Sequence, residues 1–293
     1  MQSEGSLLRS NNEAREFEFT KTDFERVCKL IYEHAGIALG ASKQEMVYSR
    51  LARRLRATGL ATFRDYLELL EGRDAAEWEA FTNSLTTNLT SFFREEHHFP
   101  VLAEHVKRYR GGQIMLWCSA SSTGEEPYSM AITVAEAFGT LKPPVRILAT
   151  DLDTNVLATA QQGVYPMERL EKMGEERLRR YFQRGTGARV GMARVREELR
   201  ALITFRQLNL LESGWPVRGP FHAIFCRNVM IYFDKPTQYA ILQKFAPLLR
   251  PDGMLFAGHS ESFQHAADLF RLRGKTVYEL AGAGLAAKGR EEV

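Results

Sequence analysis

The sequence predicts an α/β protein, a parallel sheet wrapped by helices, with an all-helical segment ahead of it. Three observations carry this. Residues 17–86 hold four short stretches in which apolar residues recur at helical spacing, and no strand pattern interrupts them. From about residue 113 short apolar runs alternate with helical patterns, the signature of a sheet built from crossovers. The first such run, Ile114 to Cys118, leads at once into small residues and then a helix, the shape of a nucleotide-binding first crossover.

Residues 1–16 are polar and expected to be loose. In the first helical stretch Phe24, Val27, Cys28 and Ile31 keep the spacing, and Thr20 with Asp23 forms a capping pair. The second starts near Ser42, with Glu45 three residues on and Val47, Leu51 and Leu55 as its apolar stripe. The third runs from Thr62 through Phe63, Tyr66, Leu67 and Leu70. The fourth starts at Asp74, takes Glu77 as capping partner, and carries Trp78, Phe81 and Leu85. These four make residues 17–86 a small helical domain. Its second helix is unusually basic: Lys43, Arg50, Arg53 and Arg54 fall within roughly a 100° arc beside the apolar stripe. A solvated face explains such a run, and so does a docking surface for an acidic partner.

Residues 87–281 make the second domain. Asn88 to Glu95 are too polar at their start for core and too aromatic for a plain linker. A helix follows to about Arg110, with Phe99, Leu102 and Val106 inward, and Gly111-Gly112 ends it. After the strand at 113–118, the small residues Ser119 to Gly124 let the backbone approach a ligand closely. Glu125, Glu126 and Pro127 open the next helix, where proline's missing N–H costs little. Acids at that helix start discourage a phosphate. A cationic, phosphate-free nucleoside fits better, and S-adenosylmethionine is one. The second strand, Val145 to Thr150, ends at Asp151-Leu152-Asp153. An acid in this place accepts hydrogen bonds from ribose hydroxyls; Asp151 is read as that acid and Asp153 as a helix cap.

Residues 164–200 do not fit a plain crossover. A glycine-rich turn from Arg184 to Gly191, then alternation over Ala193–Arg196, predicts a β-hairpin insertion at about 180–200. Its turn sits at a strand edge with free main-chain groups. Further strands are expected at 202–206, 221–226, 254–258 and 276–280, with a helix over about 236–249 and a turn at Arg250–Gly253. The stretch Arg227 to Asp234 follows the carboxyl end of the 221–226 strand, where a ligand crevice lies. The tail after Ala281 is expected to be disordered. No H-E-x-x-H, paired cysteines, P-loop lysine or G-x-S-x-G is present. His97 and His98 are adjacent, cannot share a helix face as ligands, and read as surface positions near a cap. No metal site is predicted. His259 lies in a crevice loop and is a candidate for a polar role.

The 293 residues are 44% apolar and 26% charged, ordinary for a soluble globular chain. A net charge of +3 is too mild to argue for nucleic acid. Cys28, Cys118 and Cys226 lie far apart without metal-like spacing. Cys118 and Cys226 sit at the ends of predicted core strands as small hydrophobes, consistent with a reducing compartment. No run reaches the roughly 18 apolar residues of a membrane span, and the first residues do not form a signal peptide. A cytoplasmic monomer without membrane insertion is expected.

Five motifs then coincide in order. They are Asn88-Leu-Thr-Ser-Phe-Phe-Arg94, Ser121-Ser-Thr-Gly-Glu-Glu-Pro-Tyr128, Thr150-Asp-Leu-Asp153, Cys226-Arg-Asn-Val-Met-Ile-Tyr-Phe-Asp234 and Gly258-His-Ser-Glu-Ser262. Together they resemble the chemotaxis receptor glutamate methyltransferases, the CheR family, over roughly residues 17–281. The resemblance implies an all-α N-terminal domain before a class I S-adenosylmethionine-dependent methyltransferase domain, Rossmann-like, with a small antiparallel β insertion. It implies methyl transfer from S-adenosylmethionine to chemoreceptor glutamate carboxylates, giving methyl esters for sensory adaptation and leaving S-adenosylhomocysteine. By motif match Asn88, Thr90, Arg94, Glu125, Asp151, Asn209, Leu210, Arg227 and Asn228 would line the cofactor site. Arg94 and Tyr232 would flank the reacting centre as catalytic residues. Ala120 and Ser122 stand where many methyltransferases carry glycines, and this family shares that departure.

The implied partners are chemoreceptor cytoplasmic helices, met by Lys43, Arg50, Arg53 and Arg54, and a receptor C-terminal tail peptide. The tail would meet the hairpin at Gly185, Gly187, Gly191, Arg194 and Arg196, since Arg184-Gly-Thr-Gly187 is similar to the version in tail-docking members. An RNA methyltransferase would carry a base-stacking motif such as Asn-Pro-Pro-Tyr where Arg227-Asn228-Val229-Met230 stands. A non-catalytic scaffold that keeps the fold and senses cofactor would lack turnover with a labelled methyl donor.

Overall fold

The computed structural model describes residues 15–72, 74–109 and 111–282. Most of the polar start and nearly all of the tail lie outside the described residues, as does Arg110. The chain divides into two compact units. One reaches to Leu30 and resumes over Leu39–Leu85; the other comprises Ile31–Ala38 and the chain from Thr86.

The first unit is helical: α1 (Lys21–Ala35, its last turn falling in the second unit), α2 (Gln44–Thr58), α3 (Phe63–Glu71) and α4 (Ala75–Leu85). The capping pair forms, with the Thr20 N–H donating to Asp23 at 2.9 Å and the Asp23 N–H to the Thr20 hydroxyl at 3.1 Å. Thr62 caps α3 through the N–H of Asp65. Ser42 caps nothing: a 3-10 turn over Ala41–Lys43 leads into α2, which starts at Gln44.

The basic helix has internal work. Arg54 grips Glu77 through two bonds of 3.0 and 2.7 Å, and the Tyr66 hydroxyl donates to the same carboxylate at 2.7 Å. Asp74 caps α4 by accepting the Glu77 N–H, but the Glu77 side chain, only 7% exposed, does not return the bond. A planar guanidinium is the stronger partner for a carboxylate taken out of water. Arg50 donates to the carbonyls of Ser84 and Leu85, the end of a helix where a cation is favoured. Lys43 and Arg53 remain exposed.

The second unit begins with α5 (His98–Val106), shorter than expected, and β1 (Ile114–Cys118). Then come α6 (Glu125–Phe138), β2 (Val145–Asp151), α7 (Thr154–Gln162), β3 (Val164–Pro166), α8 (Glu175–Tyr181), β4 (Phe182–Arg184) and β5 (Met192–Val195). The chain continues through α9 (Glu197–Arg200), β6 (Ile203–Gln207), β7 (Phe221–Cys226), α10 (Lys235–Phe245), β8 (Leu249–Ala257), β9 (Phe270–Gly274) and β10 (Val277–Leu280). Seven strands form one sheet in the order β6-β2-β1-β7-β8-β10-β9. β6, β2, β1, β7 and β8 run parallel, and β10 and β9 close the edge antiparallel. β7 is buried at every position, as a central parallel strand should be. Cys118 and Cys226 are both buried at strand ends. The strand order turns at β1, with β2 on one side and β7 on the other, so a crevice opens beyond their carboxyl ends.

Three expectations are corrected here. The turn at Arg250–Gly253 is absorbed into β8. β9 was unforeseen, since an edge strand carrying exposed Arg271 and Arg273 lacks an apolar pattern. The insertion has three strands, in the order β3-β5-β4, rather than a hairpin alone. β5 is its centre: Arg194 pairs with Val164 on one side and Gln183 on the other, so the free edges belong to β3 and β4. No described helix is long and apolar enough to cross a membrane.

Removing the Arg54 fork leaves a buried carboxylate short of partners. Arg54→Ala should cost about 1–3 kcal/mol in urea unfolding, while exposed Arg53→Ala should stay within about 0.5 kcal/mol. Equal losses at the two positions would contradict a structural duty for Arg54.

Candidate functional site

The turn after β1 is built from main-chain bonds. The Ser119 N–H donates to the Phe225 carbonyl and the Ser121 N–H to the Thr150 carbonyl, both at 2.8 Å. Ser122 takes a φ of 47° and Gly124 one of 100°. A Cβ at Gly124 would lie 2.7 Å from the Tyr165 hydroxyl and 2.9 Å from the Ala160 Cβ, so only glycine fits there. The Ser121 hydroxyl is buried with no hydrogen-bond partner. The two acids that open α6 do not face a ligand unpaired: Glu125, fully buried, accepts from Arg169 at 2.6 Å and from the Thr123 hydroxyl at 2.6 Å.

At the end of β2, Asp151 accepts the Ser122 N–H at 2.7 Å and the Asp153 N–H at 3.0 Å. Its carboxyl keeps some accessible surface but has protein on nearly every side, and burial pushes its pKa up to about 6 against those two bonds. Asp153 caps α7 as expected, through the N–H groups of Asn155 and Val156. It also accepts from the Thr86 hydroxyl at 2.9 Å and the Asn88 amide at 2.8 Å. Asn88 is therefore latched beside the β1 turn, where the Ser122 hydroxyl donates to its carbonyl. Thr90, two residues on, is half-buried.

Beneath the site lies a charge network that the sequence did not disclose. The Arg227 guanidinium, at the end of β7, donates to Glu126 at 2.7 Å and to the Arg94 carbonyl at 2.6 Å, and stands 3.3 Å from Glu95. Arg227 is only 4% exposed, and these bonds make it a pillar of the site. Burial raises the pKa of Glu126, the charge of Arg227 opposing it. Glu95 is pulled the other way: burial acts to raise it, but Arg227 and hydrogen bonds from the His259 main chain and Asn228 outweigh that and lower it. His98 is not at the surface. It is fully buried, its Nε2 sits 3.0 Å from the Lys275 carbonyl, and burial with the nearby Arg227 drops its pKa to about 4, so it is neutral. His97, Glu95 and His98 do place one ligand atom each within 4.8 Å of one another. Arg227 beside Glu95 weighs against a cation there.

The loop after β7 is held by Glu261, 5% exposed, whose carboxylate accepts the N–H groups of Asn228 at 3.0 Å, Met230 at 2.8 Å and Gly258 at 2.5 Å. That clamp keeps Asn228 at a φ of 59°. Half-buried Tyr232 follows in a 3-10 turn over Met230–Tyr232. After β6, Asn209 accepts the Leu211 N–H and donates its amide to the His34 carbonyl at 2.8 Å, while Leu210 is buried. Half-buried Arg94 donates to the Leu89 carbonyl at 2.9 Å. His259 is exposed.

The chain gathers Asn88, Arg94, Asn209, Arg227 and Asn228 from loops, and Asp151 from the last position of β2, at the carboxyl edge of the sheet. The docking candidates of the insertion lie elsewhere on the same unit: Gly185, Gly187 and Gly191 in the connection from β4 to β5, and Arg194 and Arg196 at β5 and just beyond. Both arginines donate to main-chain carbonyls, of Gln162 and Arg179. Sequence reasoning missed Glu95, Glu126 and Glu261, because a buried acid has the same letter as an exposed one.

Residues 88–279 match the CheR methyltransferase SAM-binding domain, and residues 22–86 match the CheR all-alpha domain. The chain belongs to the CheR methyltransferase family. Its fold is that of the class I methyltransferases, and S-adenosylmethionine is its methyl donor. It is 56% identical to the chemotaxis protein methyltransferase of Salmonella typhimurium, over 88% of this chain and 90% of that one. It is 54% identical to chemotaxis protein methyltransferase 2 of Pseudomonas aeruginosa, over 91% and 96%, and 55% identical to the Escherichia coli enzyme, over 88% and 90%. The CheR site fits such a donor: a tight small-residue turn, which includes a buried Ser121 hydroxyl without a partner among the described residues, and an acid at the end of β2.

The raised pKa of Asp151 has a definite sign. Its folded value of about 6 lies above the ordinary 3.8, so its contribution to stability is present below about pH 4 and lost as pH rises through about 6. In urea unfolding without ligand, Asp151→Asn should match the native chain near the acid end and be the more stable one above pH 6. A constant difference across that range would contradict the burial of an ionised Asp151.

Proposed function

We propose that this CheR protein methylates glutamate side chains of chemoreceptors, forming methyl esters. The observation that carries the reading is Arg94. Its main chain is fixed by Arg227 and its side chain by the Leu89 carbonyl. Among the described residues that is the only hydrogen bond its side chain makes, which leaves N–H donors of a planar fork for an incoming carboxylate. The names of the relatives, chemotaxis protein methyltransferases, support methyl transfer in chemotaxis.

When bound, S-adenosylmethionine supplies a methyl group already activated by its cationic sulfur. A glutamate carboxylate, with a pKa of about 4.3, is ionised at neutral pH, so no residue has to remove a proton. Asp151 offers an ionised acceptor for ribose hydroxyls and a negative charge for a cationic ligand. Asn88, Thr90, Glu125, Asn209, Leu210 and Asn228 shape the cavity around the donor. Arg94 orients the acceptor in one plane, and the Tyr232 hydroxyl assists from the other loop. Positioning and exclusion of water are what such a reaction asks of its protein. In this reading Lys43 and Arg53 meet an acidic receptor helix. Arg50 and Arg54 add their charge from beside their internal partners. A receptor tail adds as a strand to an edge of the insertion, near Gly185, Gly187 and Gly191, tethering the enzyme. The work takes place in the cytoplasm.

Incubation with labelled S-adenosylmethionine and receptor-containing membranes, followed by alkaline treatment, tests the acceptor directly. An ester releases labelled methanol, whereas a methylated base or amine does not. Arg94→Lys should lose about a hundredfold or more in turnover with little change in melting temperature, because an ammonium lacks the planar fork. Label that stays alkali-stable would sink the glutamate reading, and near-normal turnover of Arg94→Lys would remove Arg94 from its role.

A further inference from the structure

The peptide Ile31–Ala38 lies inside the region that matches the all-alpha domain, yet it packs as part of the methyltransferase unit. Four contacts define how. The His34 carbonyl accepts the Asn209 amide at 2.8 Å. The Ala38 N–H donates to the Tyr232 carbonyl at 3.1 Å. The Tyr32 hydroxyl donates to Asp234 at 2.6 Å. Between them Gly36, at a φ of 67°, comes so close that a Cβ would lie 2.9 Å from Leu211 Cδ1 and 3.0 Å from Phe233 Cδ1. Each contact lands on one of two loops: 209–211 after β6, or 230–234 after β7.

Those loops carry a cofactor candidate and a reaction-centre candidate, Asn209 and Tyr232. A seven-residue peptide reaches both at once, with a glycine where a side chain would force them apart. Asn209 has both ends of its amide engaged, the oxygen by Leu211 and the nitrogen by His34, so its orientation is set by this peptide. The Tyr232 turn is held from beneath by Glu261 through Met230 and from the other side by Ala38. We propose that Tyr32–Ala38 is a positioning strap for the methyltransferase site: one arm sets the cofactor loop through His34 and Gly36, and the other sets the Tyr232 turn through Ala38 and Tyr32.

The strap predicts a division of effects. A branched side chain at Gly36 strains the left-handed backbone and pushes on Leu211 and Phe233, so both arms shift. Tyr32→Phe removes the hydroxyl's bonds to Asp234 and to the Thr237 side chain, while Asp234 still caps α10 through the Thr237 N–H. That variant should disturb the Tyr232 turn and leave the cofactor loop in place.

The inference rests on the assignment of Asn209 to the cofactor and Tyr232 to the reacting centre, and the full-length chain tests it with two readouts. Titration calorimetry with S-adenosylmethionine reads the first arm. Gly36→Val should weaken affinity by about tenfold or more, and Gly36→Asn, which tolerates the backbone angle better, should weaken it less. Labelled-methyl transfer to receptor-containing membranes reads the second arm. Tyr32→Phe should lower kcat severalfold with unchanged cofactor affinity and melting temperature. Native affinity in both Gly36 variants overturns the cofactor arm, and native kcat in Tyr32→Phe overturns the other. If Gly36→Val does not fold, Gly36→Asn decides the first arm alone, a weakened affinity supporting it and a native affinity overturning it. Calorimetry needs no methyl acceptor, so a native chain that fails to methylate receptors refutes the glutamate reading while the affinity results still decide the cofactor arm.

Discussion

A guanidinium buried at the end of β7 governs the site. Arg227 cannot remain charged away from water without partners, and its partners come from two separate pieces of chain. Glu126 belongs to the first turn of α6, and Glu95 and the Arg94 carbonyl belong to the loop before α5. Satisfying one cation therefore fixes where the β1 turn, the 88–97 loop and the β7 loop stand relative to each other. The converse also holds: two buried acids require that cation.

This arrangement separates holding from acting. The residues that hold are buried acids with more than one donor: Glu261 under the β7 loop and Asp153 under Asn88, each taking several N–H groups, and Glu126 under the small-residue turn, taking Arg227 and the Cys118 thiol. The residues proposed to act, Arg94 and Tyr232, are half-buried. Arg94 is anchored by its carbonyl to Arg227 and by one side-chain bond to the Leu89 carbonyl, so its fork is set in position while still having donors to offer. On the proposed reading, a site that binds a cationic donor beside a carboxylate gains from such rigidity, because neither ligand then has to organise the protein.

Much of the fold was legible because local signals agreed with the global pattern. Thr20 with Asp23 and Thr62 with Asp65 mark helix starts by chemistry that needs no tertiary partner. The buried strands β1 and β7 are apolar but for His222, and the small residues between Ser119 and Gly124 announced a close backbone turn. What stayed hidden depends on contacts distant in sequence. Glu77 reads as a capping residue until Arg54, from another helix, claims it. His98 reads as a surface residue until Lys275 closes over it. Arg227 and Glu125 sit inside motifs that suggest cofactor contact, and packing shows both committed to internal ion pairs. β3 is three residues long and β9 is a five-residue edge strand of which only Phe270 is buried, so neither carries a run long enough to read as a strand.

The pillar role of Arg227 is tested most directly by a double-mutant cycle with Glu126. Urea unfolding would be measured for Arg227→Met, Glu126→Gln and the pair. A lone Arg227→Met leaves buried acids without their cation and should cost on the order of 3–5 kcal/mol. With Glu126 also neutralised, the loss should fall short of the sum of the single losses by more than about 1 kcal/mol. Losses that simply add, to within about 0.5 kcal/mol, would contradict the buried pair as the constraint on which the site is built.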